Sequence, residues 1–204
     1  MKLLVIGGGK MGFSHASLAT HYLGKKNVFV CDSKIFTRIF FRILGYQAFD
    51  CVKKAKRTLR TIDAIIIATP TPTHESLVRW SIINDIPCFV EKPLTLNFHK
   101  SEELKILAKN HNCFVQVGFV MRYITSFQRL KKVVADNKLG SIVSYNASMH
   151  GNVITSPPHK TSWQGNFDQG GGCLNEYGPH VIDLCCFIFG NVREILSIKS
   201  KKIL

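Results

Sequence analysis

The hexapeptide Gly7-Gly8-Gly9-Lys10-Met11-Gly12 has the spacing G-x-G-x-x-G and stands where a short apolar run gives way to a helical pattern. Glycines also mark ordinary turns, so the strand before and the helix after give the motif its meaning. Gly7 permits a tight turn, Gly9 lets the backbone approach a pyrophosphate, and Gly12 lets helix and strand pack closely. Lys10 and Met11 open the helix whose amide end would face the phosphates. Asp32 lies 20 residues after Gly12, at the end of a second apolar run. A carboxylate there accepts hydrogen bonds from an adenosine ribose and repels a 2′-phosphate. The expected cofactor is therefore NAD, with NADP as the alternative because Lys34 and Arg38 stand nearby.

Two other places could carry chemistry. Lys92 stands between Glu91 and Pro93, at the end of an apolar stretch. The C-terminal end of a buried parallel strand is where doubly wound sheets bind ligands. A partly desolvated Lys beside an oxidised nicotinamide loses its proton more readily, and could then help remove the proton of a reacting hydroxyl. A surface Lys before a turn-forming Pro is the plainer alternative. Glu176 and His180 are four residues apart, which places both on one face of a helix. His suits acid–base work near neutral pH. The same spacing also describes an ordinary helical pair or a capping carboxylate.

The elements that must position these residues alternate. Strands are expected at Lys2–Ile6, Asn27–Cys31, Asp63–Ala68, Pro87–Val90 and Cys113–Val117. Helices are expected at Lys10–Tyr22, Ile35–Leu44, Asp50–Leu59 with Asp50 as N-cap, Thr73–Asn84, and Asn97–Asn110 capped by Asn97. Strands alternating with helices predict a parallel, doubly wound α/β sheet with right-handed crossovers. After Phe119 the pattern changes. A helix at Thr125–Asn137, a strand at Ser141–Met149, a long Gly/Pro/Ser-rich loop over 151–172, a helix at Cys173–Phe189 and a strand starting at Val192 are expected. This divides the chain into a Rossmann-type domain, 1–120, and a partial α+β domain, 121–204, whose core is thin.

Composition narrows the class. Of 204 residues, 46 % are apolar and 20 % charged, which excludes a disordered chain. No apolar run is long enough for a bilayer and no export signal is read, so a cytoplasmic protein without a membrane partner is expected. The seven cysteines form no Cys-x-x-Cys pair, which fits reduced thiols and gives a metal site no support. The net charge is +14, and residues 1–60 hold 12 Lys/Arg against 2 Asp/Glu. The run Lys53, Lys54, Lys56, Arg57, Arg60 suits nucleic acid or a solvated helix face. Without an aromatic platform the second reading is preferred and nucleic acid is not the expected partner.

The motifs GGGKMG (Gly7–Gly12), IATPTPTH (Ile67–His74), EKP (Glu91–Pro93), VGFVMRY (Val117–Tyr123) and GGGCLNEYGPHVIDL (Gly170–Leu184) occur in the order seen in the Gfo/Idh/MocA oxidoreductases. The chain resembles that family from Met1 to about Val192. The resemblance implies a nicotinamide-dependent oxidoreductase acting on a secondary alcohol of a sugar, inositol or related polyol. It implies catalytic roles for Lys92 and His180, with Glu176 at the family's Asp position orienting the His or holding substrate hydroxyls. It implies that Thr69, Pro70 and His74 lie against the cofactor, that Glu91 contacts the nicotinamide ribose region, and that Arg122 faces cofactor or cleft. Trp163 matches the substrate loop, with a hydrophobic lid anchor as the alternative, and Asp183 is a candidate partner for His180. Family members carry a second domain on a large open sheet that completes the pocket and mediates oligomerisation. This chain stops after that domain's expected second strand, so an NAD(H)-binding relative without turnover is the alternative expectation. Association into a homo-oligomer is expected from the unpaired edge.

Overall fold

The computed structural model describes residues 1–149 and 170–199. Six strands form one sheet: β1 (Leu3–Ile6), β2 (Val28–Cys31), β3 (Gln47–Phe49), β4 (Ala64–Ile67), β5 (Cys88–Glu91) and β6 (Val115–Gly118). All neighbours are parallel and the order is β3-β2-β1-β4-β5-β6. The order reverses between β1 and β4, so the crevice at their C-terminal ends is the switch point where ligands bind in such sheets.

Five helices cover the sheet: α1 (Lys10–Leu23), α2 (Ile35–Ile43), α3 (Val52–Leu59), α4 (His74–Ile83) and α5 (Phe98–Asn110). The apolar residues of β1 and β2 alternate between two cores. Leu3, Val5, Val28 and Val30 pack with Ala16 of α1 and Phe41 of α2. Leu4, Ile6, Phe29 and Cys31 pack on the other face with Ala55, Leu59, Val78, Ile82 and Leu104. Burying strands on both faces explains why they read as continuous apolar runs rather than alternating ones. Asn97 caps α5 as expected, its Oδ1 accepting from the Lys100 amide at 3.3 Å.

Beyond β6 a single 3₁₀ turn, Val120–Tyr123, leads to α6 (Thr125–Ala135), and later come α7 (Cys173–Glu176) and α8 (Gly178–Phe189). Buried apolar residues here are few: α6 contributes none, and α8 contributes Leu184 and Ile188.

Several expectations are corrected. Strand β3 was not anticipated; with three residues it is too short for a periodic signal. Asp50 does not cap α3, whose N-cap is Cys51 without a side-chain bond; the Asp50 carboxylate instead accepts from Lys54 Nζ at 3.3 Å. Ser141–Met149 and the described part of the segment from Val192 form no strand. An extended segment becomes a strand only against a hydrogen-bonding neighbour, and Val143 at 96 % and Leu196 at 87 % exposure have none packed on them. The expected helix over Cys173–Phe189 breaks at Tyr177, because Pro179 cannot donate to the preceding turn and instead starts α8.

Candidate functional site

The turn after β1 is shaped by what a side chain would strike. Gly7 has φ +94°, and a Cβ there would come within 2.5 Å of the Ala68 carbonyl oxygen beyond β4. A Cβ on Gly12 would collide with the Gly7 carbonyl oxygen. Gly9 differs: a Cβ there would meet nothing within 4 Å, so open space lies over the start of α1. That helix has no side-chain cap and no acidic residue in its first turn. Among the described residues its leading amides, at Lys10 and Met11, therefore meet no capping side chain and no competing first-turn anion, which fits a pyrophosphate.

Asp32, just past β2, fixes this turn. One carboxylate oxygen accepts from the Gly8 amide and the other from the Lys34 amide, each at 2.7 Å. Both oxygens keep a lone pair for ribose hydroxyls. Arg38 is folded back on the main chain, donating to the carbonyls of Asp32 at 2.9 Å and Ser33 at 2.6 Å. The fit is to an adenosine ribose held by a carboxylate.

The loop after β4 closes the other side. Thr69 lies against Gly7, and its hydroxyl accepts from Thr73 at 2.7 Å. His74 does not face the crevice. It is 1 % exposed, with Nε2 2.8 Å from the Thr69 carbonyl and Nδ1 2.8 Å from the Pro93 carbonyl. It staples the loop after β4 to the loop after β5, and so bears on a cofactor only through Thr69, Pro70 and Lys92.

Lys92, directly after β5, meets α7. Its Nζ donates to the Glu176 backbone carbonyl at 3.0 Å and to Oε2 of the same residue at 3.3 Å. The two side chains are 15 % and 21 % exposed. Glu176 therefore holds Lys92, and the break at Tyr177 means it does not share one helix face with His180. Among the described residues the His180 Nδ1 is buried without a partner, as an atom kept for a ligand would be. Burial lowers the His180 pKa below its ordinary value, the Lys92 cation lowers it further, and the carboxylates of Glu176, Glu91 and Asp183 oppose. The net shift favours the neutral imidazole, the form that can accept a proton.

Asp183 is not the partner of His180. It is buried and takes the Arg122 guanidinium in a two-pronged pair, with Nε at 2.9 Å from Oδ2. Arg122 also lies over the rings of Phe119 and Phe187. Its planar head is committed to joining the 3₁₀ turn to α8, not to the cofactor crevice. Glu91 is likewise engaged: its Oε1 lies 2.7 Å from Nε2 of His15 on α1. His15 was missed in the sequence. The available signal was a polar residue beside Gly12 and Ala16, the small residues that let α1 approach the sheet. Trp163 lies outside the described residues.

Other features stand apart. An open groove of about 770 Å³, bordered by Lys131, Tyr145, Cys186, Phe187 and Phe189, includes none of Lys92, Glu176 or His180. On basic α3, Lys54 pairs with Asp50 and Lys56 donates to Asn84. Burial pushes the thiol pKa of Cys31 up to about 12 and that of Cys88 to about 11, so both are unreactive. Among the described residues no cluster of three or more His, Cys, Asp or Glu could hold a metal, and no helix is long and apolar enough to cross a membrane.

Comparison with known proteins agrees with the Rossmann-type sheet. Residues 1–119 match the model of an oxidoreductase family with an NAD-binding Rossmann fold, and residues 127–202 match the GFO/IDH/MocA C-terminal domain. The scyllo-inositol 2-dehydrogenase (NAD(+)) of Bacillus subtilis is 28 % identical over 98 % of this chain and 56 % of its own length. The inositol 2-dehydrogenase of Arthrobacter is 28 % identical over 98 % of this chain and 57 % of its own. The crystal structure of myo-inositol 2-dehydrogenase from Lactobacillus plantarum superposes with a TM-score of 0.77 at 27 % identity, covering 93 % of this chain and 56 % of that one. The chain thus spans about half the length of the relatives it matches. Carrying both family domains in sequence order on a Rossmann sheet, it belongs to the Gfo/Idh/MocA oxidoreductase family.

Proposed function

We propose that this protein is an NAD(H)-dependent oxidoreductase acting on a secondary alcohol of a sugar, inositol or related polyol. Residues 1–120 supply the cofactor half and 121–204 contribute to the substrate half. The observation that carries the reading is the bond of Lys92, directly after β5, to Glu176, close enough to His180 to lower its pKa, with the His180 Nδ1 unpartnered among the described residues. When bound, the cofactor supplies hydride acceptance at nicotinamide C4.

The rest falls to this chain's residues. The open amide end of α1 binds the pyrophosphate and Asp32 binds the ribose hydroxyls. The Lys92 Nζ donates to the oxygen of the reacting alcohol and steadies the charge that develops there. His180 Nδ1 takes the hydroxyl proton as the C–H bond yields its hydride. Glu176 holds the Lys92 ammonium in place. Trp163 is assigned to the substrate side on the family motif alone.

The test is NADH fluorescence titration, followed by NADH formation from NAD⁺ over a panel of inositols and hexoses. NADH binding with turnover of at least one polyol is the expected result. Binding without turnover across the panel would leave the chain as an NAD(H)-binding relative. No binding of either nicotinamide cofactor would overturn the reading.

A further inference from the structure

The contact between His15 and Glu91 joins the two halves of the crevice. His15 lies within α1, whose amide end is the proposed phosphate site. Glu91 is the last residue of β5 and precedes Lys92. Strand β5 is not a neighbour of β1 in the sheet, so no ladder connects the glycine turn directly to Lys92. Among the described residues the hydrogen bond between Nε2 and Oε1, at 2.7 Å, is the one that ties α1 to β5.

The pair is built, not incidental. Its side chains are 21 % and 17 % exposed. The His15 ring meets the edge of Phe89, two residues before Glu91 on the same face of β5, at 5.4 Å between centroids. Gly118 of β6 leaves room for the carboxylate, since a Cβ there would stand 3.3 Å from Glu91 Oε2. Packing fixes the ring, and the ring fixes the carboxylate.

We propose that His15 is a positioning residue: through Glu91 it sets the spacing between the phosphate-binding end of α1 and Lys92. A dinucleotide spans both points, so an error in that spacing weakens its binding even though His15 itself contacts neither phosphate nor nicotinamide. The inference rests on the cofactor reading above. It assigns Glu91 first to His15 rather than to the nicotinamide ribose.

The test compares NADH titrations of the unaltered protein, His15→Leu, His15→Gln, Glu91→Gln and the His15→Leu/Glu91→Gln double variant, with thermal unfolding of each. His15→Leu keeps the packing on Phe89 but loses the donor. His15→Gln places an amide N–H near the lost Nε2. Loss of one partly buried charge-assisted bond predicts about tenfold weaker NADH binding for His15→Leu. His15→Gln should stay within about twofold, and Glu91→Gln should add little to His15→Leu. Unchanged affinity in His15→Leu overturns the proposal and leaves the cofactor reading intact. Equal weakening in the Leu and Gln variants, or loss of affinity that only follows loss of thermal stability, also overturns it, in favour of a packing role. An unaltered protein that binds no NADH overturns the proposal and the cofactor reading together.

Discussion

The sheet and the helices beyond it are held by different means. In the first region, backbone ladders run through six strands, and both faces are closed by apolar side chains that are almost fully buried. In the second, α6 to α8 bury two large apolar residues and lean on polar contacts: Lys92 with Glu176, Arg122 with Asp183, and Lys131 over the Phe187 ring. A ladder fixes position through many groups at once, so losing one costs little in precision. A charge pair fixes position through one or two atoms, and its strength depends on solvent and salt. On the proposed function, cofactor-side geometry therefore rests mainly on main-chain ladders, with the His15–Glu91 pair as a side-chain tie across them, and proton-transfer geometry rests on side chains.

The largest effect should appear where the regions must cooperate. Lys92→Ala and His180→Ala are each expected to lower kcat by about 10²–10⁴-fold, with NADH affinity within a few-fold of the unaltered protein. Steady-state kinetics beside NADH titration reads both. Unchanged kcat in His180→Ala would reduce the second region to packing. A comparison of identical chemistry comes next. Leu4→Ala, fully buried between strands, should cost about 4–5 kcal/mol in urea unfolding, and Leu184→Ala about 2 kcal/mol, because the thin surroundings of α8 can relax. Equal losses would erase the contrast.

Asp32→Ala removes the acceptor that holds Gly8 and Lys34, so it should weaken NADH binding about tenfold and narrow any preference over NADPH. Tighter NADPH binding by the unaltered protein would instead point to Lys34 or Arg38. The smallest effect is pH dependence through His180. Its folded pKa lies below the ordinary 6.5, so the unfolded chain binds more protons in the window just under that value. Stability should fall as pH drops below 6.5 and stay level above it, and His180→Ala should flatten the slope. A slope unchanged in that variant would show that other groups carry it.

Much of the first region was legible because steric rules act locally. The glycine turn, the cap at Asn97 and the buried runs of β1, β2 and β4 follow from residues within a few positions of one another. What escaped was non-local. Whether Ser141–Met149 pairs depends on a neighbour that no pattern within the segment reveals. The same holds for Asp183 choosing Arg122 over His180, and for Glu91 meeting His15, 76 positions away. The break at Tyr177 was readable, since Pro179 stood inside the expected helix, but the four-residue spacing of Glu176 and His180 was given more weight.

An ammonium has three protons, and at Lys92 two of them are already committed to the carbonyl and carboxylate of Glu176. Among the described residues, tetrahedral geometry then leaves a single N–H direction free. A ligand can offer that nitrogen one oxygen, not two. On the proposed function that one oxygen is the reacting alcohol's, and its own proton goes to the Nδ1 of His180, which has no partner among the described residues. Any neighbouring hydroxyl must then be held by other groups, so choice between epimers would arise from valence rather than from the size of the cavity.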